Sequence, residues 1–322
     1  MNNQTSSLEF SHFPVMLNEV LKISSPSTRQ KFIDCTFGGG GFSKEILKFS
    51  KTNVLAIDRD KKVFLEAKKL EKKYPKRFKF YQLKFSQLES ISIDNVDVVI
   101  FDLGLSSIQL DNFDRGFSFK SNKKLNMTMG LNEISALDVI NNLSELDLKR
   151  VIKILGDEKE ASKIAKNIVN YRNTKKIKNT NELVKIIEKS KKKNYSSKIN
   201  PCTKTFQALR IFVNKEITEL INGIINATKK LKPGGKILII SFHSIEDRIV
   251  KIKMRGSRNS VSRTDQMTAK QYAFFSGINH FHESSYPKIK QVKRILPTKE
   301  EIKINTRSRS AVLRVGELVS EV

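Results

Sequence analysis

A run of four glycines follows an acidic residue in the segment DCTFGGGGFS, residues 34–43. Asp34 ends a short apolar run of strand character, and a helical pattern begins after the glycines. Because glycine has no Cβ, the backbone amides of such a turn can approach a ligand closely at the start of the helix. The pattern is typical of nucleotide sites, although a glycine run alone is equally compatible with a tight turn of no function.

A second acidic residue, Asp58, ends the next apolar run in AIDRD, residues 56–60. In a parallel sheet it would lie in the same crevice as the glycine turn, outside the carboxyl ends of the strands. A carboxylate there accepts hydrogen bonds from ribose hydroxyls. The two features together favour an adenosine-containing cofactor and leave NAD and S-adenosylmethionine open.

The segment DLGLSSIQLD, residues 102–111, separates these two cofactors. A dehydrogenase would need a second half-sheet and a proton-transfer residue, commonly histidine, near the nicotinamide. This chain instead has Asp102 at the end of a fourth apolar run, where it could contact an amino group of the cofactor or of a substrate. A turn cap or helix cap is an alternative of equal weight for Asp102.

A sheet is needed to bring these residues together, and residues 31–103 alternate strand-like and helical runs, which is typical of βαβ units. Strands are predicted over 31–37, 53–58, 78–84 and 96–103, with a helix over 61–73. The alternation then stops, and residues 135–190 have helical periodicity with almost no strand signal.

The parallel pattern resumes with a helix over 205–230, the stop signal KPGG, a fifth strand over 236–242 and a helix over 244–254. Residues 255–290 are expected to form a mobile loop, and residues 310–315 a closing strand. We therefore predict an α/β fold with a Rossmann-like, doubly wound sheet. Its two parts would be residues 1–110 and 205–322, around an inserted, mainly helical subdomain at 111–204.

The formal charge of +27 favours a polyanionic partner, and nucleic acid is the default. Since 45 of the 60 basic residues are lysine, drift under A/T-biased coding is the alternative explanation. Residues 161–200 contain 12 Lys and Arg against 2 Glu, and residues 286–314 contain 9 against 2. We expect these two stretches to face phosphates, although either one alone fits an ordinary solvated surface.

The two cysteines, Cys35 and Cys202, form no CxxC pair, so neither a disulfide nor a metal site is expected. No stretch approaches the roughly 18 apolar residues of a membrane span. The first residues lack the order of a secretory signal. These features favour a cytoplasmic protein, and a homodimer is compatible with the sequence.

Eight longer segments occur in a characteristic order along the chain: HFPVMLNEVL (12–21), DCTFGGGGFS (34–43), IDRD (57–60), DLGLSSIQLD with DRGFSF (102–119), GDEKEASKIAKNIV (156–169), PCTKTFQALRIFVN (201–214), SFHSIEDRIVK (241–251) and NTRSRSAVLRV (305–315). Over nearly its whole length the chain resembles the bacterial ribosomal RNA small subunit methyltransferase H family, also called MraW. The resemblance implies a class I methyltransferase fold and S-adenosyl-L-methionine as cofactor. It also implies N4-methylation of a decoding-centre cytidine in 16S rRNA of the small ribosomal subunit.

The resemblance also implies which residues hold the cofactor. They are the glycine turn, the acid of the second strand, an aromatic residue after the third, and an acid and an amide after the fourth. In this sequence the positions are Gly39, Gly40, Gly41, Phe42, Asp58, Phe85, Asp102 and Gln109. Without the resemblance, Phe85 would be a core aromatic and Gln109 an exposed loop residue.

The sequence departs from the family pattern at two places. Phe42 stands where family members usually have histidine, and KLNMTMG, residues 124–130, stands where they usually have PLDMRMD. The first change removes a polar contact near the cofactor while the backbone amides remain. The second alters the loop that is expected to approach the substrate.

We predict Asp102, Ser106 and His243 as catalytic residues. Asp102 would accept an N–H hydrogen bond from the target amine, and Ser106, with Ser107, would make secondary contacts to the base. His243 would contact RNA or assist proton removal, and a hydrogen-bonded strand-end residue is an equal alternative. Further expectations are base stacking on Phe117 and Phe119, unless they are buried, and phosphate contacts from Arg210, Arg248, Arg307 and Arg309.

Two other functions compete with this interpretation. A DNA amino-methyltransferase usually has a (D/N/S)PP(Y/F/W) tetrapeptide at the fourth strand end, and DLGL differs from it. The departures at residues 42 and 126 are compatible with a basic RNA-binding or ribosome-assembly protein that has lost catalysis.

Overall fold

The computed structural model describes residues 14–106, 109, 113–119, 122–132, 134–191, 200–254 and 289–319. Within these ranges the strands are β1 (Lys31–Asp34), β2 (Asn53–Asp58), β3 (Phe78–Gln82), β4 (Val96–Asp102), β5 (Leu231–Ser241), β6 (Ile289–Ile295) and β7 (Val312–Leu318). They form one sheet in the order β3-β2-β1-β4-β5-β7-β6. Neighbours from β3 through β5 pair in parallel, whereas β7 is antiparallel to both β5 and β6. This topology confirms the predicted doubly wound α/β fold.

Helices cover both faces of the sheet because successive residues of each strand point to opposite faces. The helices are α1 (Leu17–Ser24), α2 (Gly41–Leu47), α3 (Phe64–Lys73), α4 (Ala136–Asn142), α5 (Glu145–Gly156), α6 (Ala161–Thr174), α7 (Thr180–Ser190), α8 (Thr203–Asn214), α9 (Glu216–Lys230), α10 (Ser244–Met254) and α11 (Lys299–Ile304). Short 3₁₀ helices lie at Lys61–Val63, Phe85–Ser90, Phe113–Arg115 and Thr306–Ser310. Ile33, Val99 and Phe101 pack with α9 and α10, and Phe32 and Val98 pack with α1 to α3.

The helical insertion has an apolar core of its own, formed by buried residues between Phe117 and Val213. Polar side chains cap three of its helices, α4, α5 and α7. The side chains of Ser135, Ser144 and Asn179 accept the N–H groups of residues three positions later, at 3.2, 3.1 and 3.0 Å. The insertion is therefore a folded body and not an extended loop.

Helix α8 connects the insertion to the sheet domain. Phe206, Leu209 and Val213 belong to the core of the insertion, whereas Ala208 and Ile211 belong to the core beside the sheet. The domain boundary predicted between residues 204 and 205 therefore falls inside this helix.

The sequence-based elements differ from the structure in three respects. The single helix predicted over 205–230 is wrong, because Lys215 has a left-handed backbone (φ 50°) between α8 and α9. Strand β5 begins at Leu231 and so includes KPGG, with a register shift where it pairs with β4. Elements α1, β6 and α11 were not predicted.

Most of the predicted loop at 255–290 lies outside the described residues. In the part of the chain that is described, no helix combines the length and the apolar content needed to cross a bilayer.

Candidate cofactor and substrate site

Three neighbouring strands each end in an acidic residue at the same edge of the sheet: Asp34 in β1, Asp58 in β2 and Asp102 in β4. Asp34 is fully buried and serves the fold. It accepts the Ser43 hydroxyl at 2.7 Å and the backbone N–H of Thr36 at 3.2 Å. Since both its oxygens are bonded to α2 and the turn before it, Asp34 fastens that helix to the sheet.

The glycine turn lies directly beyond Asp34. Gly40 has φ 78°, and a Cβ there would lie 2.8 Å from the Phe37 ring, while a Cβ on Gly41 would collide with Pro14. A Cβ on Gly39, in contrast, would meet no described atom within 4 Å. The first N–H groups of a helix have no partner within that helix. The N–H groups of Gly38 and Gly40 already donate to Asp58 and to the Phe37 carbonyl, at 2.8 and 2.6 Å, so the open space lies beside Gly39. Binding of a cofactor by this turn stays a prediction.

Asp58 closes this space from the side of β2. Its Oδ2 accepts the N–H of Gly38 at 2.8 Å, and its Oδ1 accepts the N–H of Asp60 at 2.8 Å. Burial raises the pKa of Asp58 to about 6 because lost solvation outweighs these two donors. Each carboxylate oxygen can accept a second hydrogen bond, so Asp58 retains capacity for ribose hydroxyls.

In the described part of the chain, Asp102 and Ser106 each carry a buried polar atom without a partner beside the glycine turn, and Gln82 Nε2 and Arg59 Nε are further such atoms near Asp58. Among the described residues, Oδ1 of Asp102 and Oγ of Ser106 are buried with no hydrogen-bond partner. The backbone N–H of Asp102 donates to Thr36 at 2.7 Å, and Ser106 lies beside Gly38, so both border the glycine turn. Burial, aided by the charges of Asp34 and Glu246, raises the pKa of Asp102 well above 3.8. Unpaired buried polar atoms are costly, and a bound ligand would supply their partners.

The two residues inferred from the resemblance alone differ in their surroundings. Phe85 is half-buried and packs edge-on against Phe101, with ring centres 5.2 Å apart. Gln109 is buried, and its amide is already used twice. Its Nε2 donates to Asp60 at 3.0 Å, and its Oε1 accepts the N–H of Ser106 at 3.1 Å. Gln109 thus holds the loop that carries Ser106.

Both departures from the family pattern have a structural setting. The side chain of Phe42 is 3% exposed inside the apolar cluster of α1 to α3, so only its backbone can face a ligand. In KLNMTMG, Leu125, Met127 and Met129 point into the core of the insertion. Gly130 has φ 97°, and its Cα lies so close to the carbonyl of Arg59 that a Cβ would collide with it. In this conformation the close approach leaves no room for a side chain at residue 130.

His243 belongs to a buried ionic cluster after β5. The backbone N–H of Glu246 donates to His243 Nδ1 at 3.4 Å, and His243 Nε2 lies 3.2 Å from Glu246 Oε1. Arg210 makes two 2.9 Å bonds to Glu216 and lies 3.4 Å from His243. Burial alone would raise the pKa of Glu246, but His243 and Arg210 lower it below 4.5. Both ring nitrogens of His243 thus face Glu246, which favours the strand-end role.

We expect His243→Ala to weaken folding more than chemistry. Glu246 would keep its charge with fewer donors, so unfolding free energy should fall by about 1–3 kcal/mol. The single-turnover methylation rate should fall by well under the roughly 10²–10⁴-fold typical of a lost general base. Urea unfolding and single-turnover assays measure the two effects, with His243→Gln as the control that restores a donor. A large rate loss at normal stability would contradict this role.

The other residues predicted to contact RNA lie in different environments. Phe117 is buried, and Phe119 packs edge-on against Phe206 with ring centres 5.9 Å apart, so both belong to the insertion core. Arg210 is mostly buried with its guanidinium held by Glu216, and a phosphate contact from it stays a prediction. Arg307 and Arg309 are exposed and Arg248 half-exposed, while Ser107 lies outside the described residues.

Sequence reasoning missed the residues that join the site to the insertion: Arg59, Asp60, Arg115 and Asn214. The only signal was the charged pair that directly follows Asp58 in IDRD. Its side-chain partners across the junction lie 49 to 155 residues away, and no local pattern identifies them.

Comparison with known proteins places this geometry in a family. Residues 9–319 match the MraW methylase family. A ribosomal RNA small subunit methyltransferase H from Ehrlichia canis (strain Jake) is 41% identical over 308 residues, which cover 94% of this chain and 98% of that protein. A protein of the same name from Rickettsia africae (strain ESF-5) is 39% identical over 320 residues, covering 97% and 99%.

A solved rRNA methylase structure from Streptococcus thermophilus aligns over 92% of both chains, with 9% identity and a TM-score of 0.39, which is too distant to add to the fold described above. The match over residues 9–319, together with relatives at about 40% identity over nearly full length, decides the family. This chain belongs to the MraW methylase family and is an S-adenosyl-L-methionine-dependent methyltransferase.

Proposed function

We propose that this protein methylates N4 of a decoding-centre cytidine in 16S rRNA of the small ribosomal subunit. The names of its relatives support ribosomal RNA of the small subunit as the substrate class. The observation that carries the proposal is the buried Oδ1 of Asp102, which has no partner among the described residues. An exocyclic amine that gains positive charge during methylation needs an acceptor of this kind.

The residues at the sheet edge fit the cofactor. The space beside Gly39 would admit it, Asp58 has lone pairs left for its ribose, and the half-exposed ring of Phe85 offers an apolar surface for adenine. When bound, S-adenosyl-L-methionine supplies an electrophilic methyl group on a sulfonium. The protein has chiefly to align the amine with it, because methyl transfer is an in-line displacement.

Asp102 and Ser106 perform this alignment in our proposal. In its ionised form, which the raised pKa shifts to higher pH, Asp102 accepts one N–H of the cytosine amine and so turns the nitrogen lone pair toward the methyl group. The Ser106 hydroxyl makes a second contact to the base. Gln109 holds Ser106 in place through its backbone N–H. The base must leave its stack to reach these groups, at a cost of a few kcal/mol.

The insertion supplies the surface for the RNA backbone in this proposal. Exposed lysines lie on α6, on α7 and on the connection between these helices: Lys163, Lys166, Lys175, Lys176, Lys178, Lys185 and Lys189. Arg307 and Arg309 are exposed in the 3₁₀ helix Thr306–Ser310, outside the insertion. Phosphate contacts from these residues would position the RNA without reading its sequence.

The test is transfer of labelled methyl groups to intact small subunits, naked rRNA and duplex DNA, followed by nucleoside analysis. We expect label in the small subunit as N4-methylated cytidine. Label in duplex DNA would favour the DNA amino-methyltransferase, and absence of label in all three would favour a non-catalytic assembly protein. Sedimentation of the purified protein tests whether it forms the homodimer with which the sequence is compatible.

A further inference from the structure

Three consecutive residues at the end of β2 contact three different parts of the protein. Asp58 binds the glycine turn through Gly38 and also accepts the N–H of Asp60. Arg59 donates to the carbonyl of Asn214 at 2.9 Å and to Asn132 at 2.7 Å. The side chain of Asp60 contacts Gln109 and Arg115, which follow β4. The strand end is therefore the junction between the cofactor side and the insertion.

Asp60 is 3% exposed and makes an ion pair across this junction. Its Oδ2 accepts Arg115 Nη1 at 2.5 Å and Gln109 Nε2 at 3.0 Å, while its Oδ1 accepts the N–H of Lys62 at 3.1 Å. Burial works to raise the pKa of Asp60, but these donors lower it below 3.8. The carboxylate is thus charged and fully engaged.

Arg115 transmits this contact to the 122–132 segment, which contains KLNMTMG. Its Nη2 donates to the carbonyl of Thr128 at 2.7 Å, and its own carbonyl accepts the N–H of Met127 at 2.8 Å. Arg115 therefore holds Met127 through its backbone carbonyl and Thr128 through its guanidinium. On the outer side of the segment, Lys123 and Lys124 are exposed.

Asn214 anchors the same segment to the end of α8. Its Oδ1 accepts the N–H of Met129 at 2.8 Å, and its Nδ2 donates to the carbonyl of Met127 at 2.7 Å. With Asn214 on one side and Arg115 on the other, the backbone of residues 127–129 is bonded at every position. The Asp60 carboxylate links this backbone to the cofactor side through Arg115, while Arg59 contacts the same segment at Asn132.

We propose that the Asp60–Arg115 pair is a positioning device through which cofactor binding at Asp58 orders the 122–132 segment and Ser106 for the RNA. The inference rests on the proposed function for the identity of the substrate. The route is short, because the Asp58 carboxylate that would meet the ribose also accepts the N–H of Asp60. Coupling of this kind is reciprocal, so bound RNA would also tighten the hold on the cofactor.

Hydrogen exchange of peptides covering residues 122–132 tests the coupling, with S-adenosylhomocysteine as the probe ligand. In the natural protein we expect saturating ligand to slow exchange there by about tenfold, a usual size for coupling between sites. Asp60→Asn should still bind the ligand in calorimetry but lose this slowing. In methylation assays its KM for the small subunit should rise while kcat changes little.

Glu158→Gln is the matched control, since Glu158 forms a buried pair with Lys191 at 2.6 Å elsewhere in the insertion. It should respond to the ligand as the natural protein does. Retention of the ligand-dependent slowing by Asp60→Asn, or a natural protein that binds the ligand with no slowing, overturns the inference. These outcomes need no methyl transfer, so they are distinct from failure of the proposed function.

Arg115→Gln covers the case in which Asp60→Asn does not fold, and a double-mutant cycle is measured where both variants fold. Arg115→Gln removes the other partner, together with the guanidinium whose central carbon lies 5.3 Å from the centre of the Phe117 ring. If the pair acts as a unit, the variant with both changes loses no more slowing than either single variant. Additive losses, or normal slowing in Arg115→Gln, would contradict the proposal.

Discussion

Asp102→Asn is expected to lower the single-turnover methylation rate by roughly 10²–10⁴-fold, the size of effect typical of a lost proton acceptor. The amide has nearly the shape of the carboxyl group, and the bond from the Asp102 backbone N–H to Thr36 is unaffected. Calorimetry with S-adenosylhomocysteine separates the two roles predicted for Asp102, because unchanged affinity assigns the rate loss to the target amine and lost affinity assigns it to the cofactor. A variant that methylates small subunits at the normal rate would refute the role of Asp102.

The same substitution has a predictable pH signature. The pKa of Asp102 is raised in the folded protein above 3.8, so folding favours the neutral carboxyl. The stability from this preference is present below pH 3.8 and is lost as the pH rises through the folded pKa. The natural protein should thus lose stability relative to Asp102→Asn as the pH rises, while its activity increases. Urea unfolding across pH, compared between the two proteins, measures the difference.

Asp58→Asn is expected to weaken cofactor binding by about 10- to 100-fold, since hydrogen bonds to a charged acceptor contribute about 1.5–3 kcal/mol. In the natural protein the affinity should also fall as the pH drops through about 6, where Asp58 gains a proton. The variant should lack this pH dependence. Calorimetry with S-adenosylhomocysteine between pH 5 and 8 tests both statements.

Asp97→Asn is the control for Asp58, because Asp97 lies at the amino end of β4 and accepts the N–H of Lys31 at 2.7 Å. It is an acidic residue of the same sheet at the opposite edge, so its loss should leave cofactor affinity unchanged. Equal weakening in both variants would show that general destabilisation, and not the ribose contact, explains the effect of Asp58→Asn.

The sheet could be predicted from the sequence because its signals are local. Apolar runs define β1, β2, β4 and most of β5, and their acidic ends align once the strands are parallel. The left-handed Lys215 gave no such signal, because its conformation depends on how α8 and α9 pack. Strand β6 was missed because its exposed residues include Lys290, Lys293 and Arg294, which resemble a solvated tail.

The candidate site could be located from the sequence, but the different states of its acids could not. Asp34, Asp58 and Asp102 all end a strand, yet the first has partners on both oxygens and the third has a buried oxygen without one in the described chain. That difference depends on Ser43, Gly38 and burial, which are set by tertiary packing. A sequence pattern names the acids, and only the fold separates structural from available carboxylates.

Helix α8 limits how this enzyme can be shortened. Excision of residues 111–204 would remove the apolar partners of Phe206, Leu209 and Val213. An exposed apolar stripe would then remain along a helix that also packs against the sheet domain. Such a truncation would invite aggregation rather than yield a minimal catalyst. Grafting a different specificity module would have to replace this helix together with the insertion.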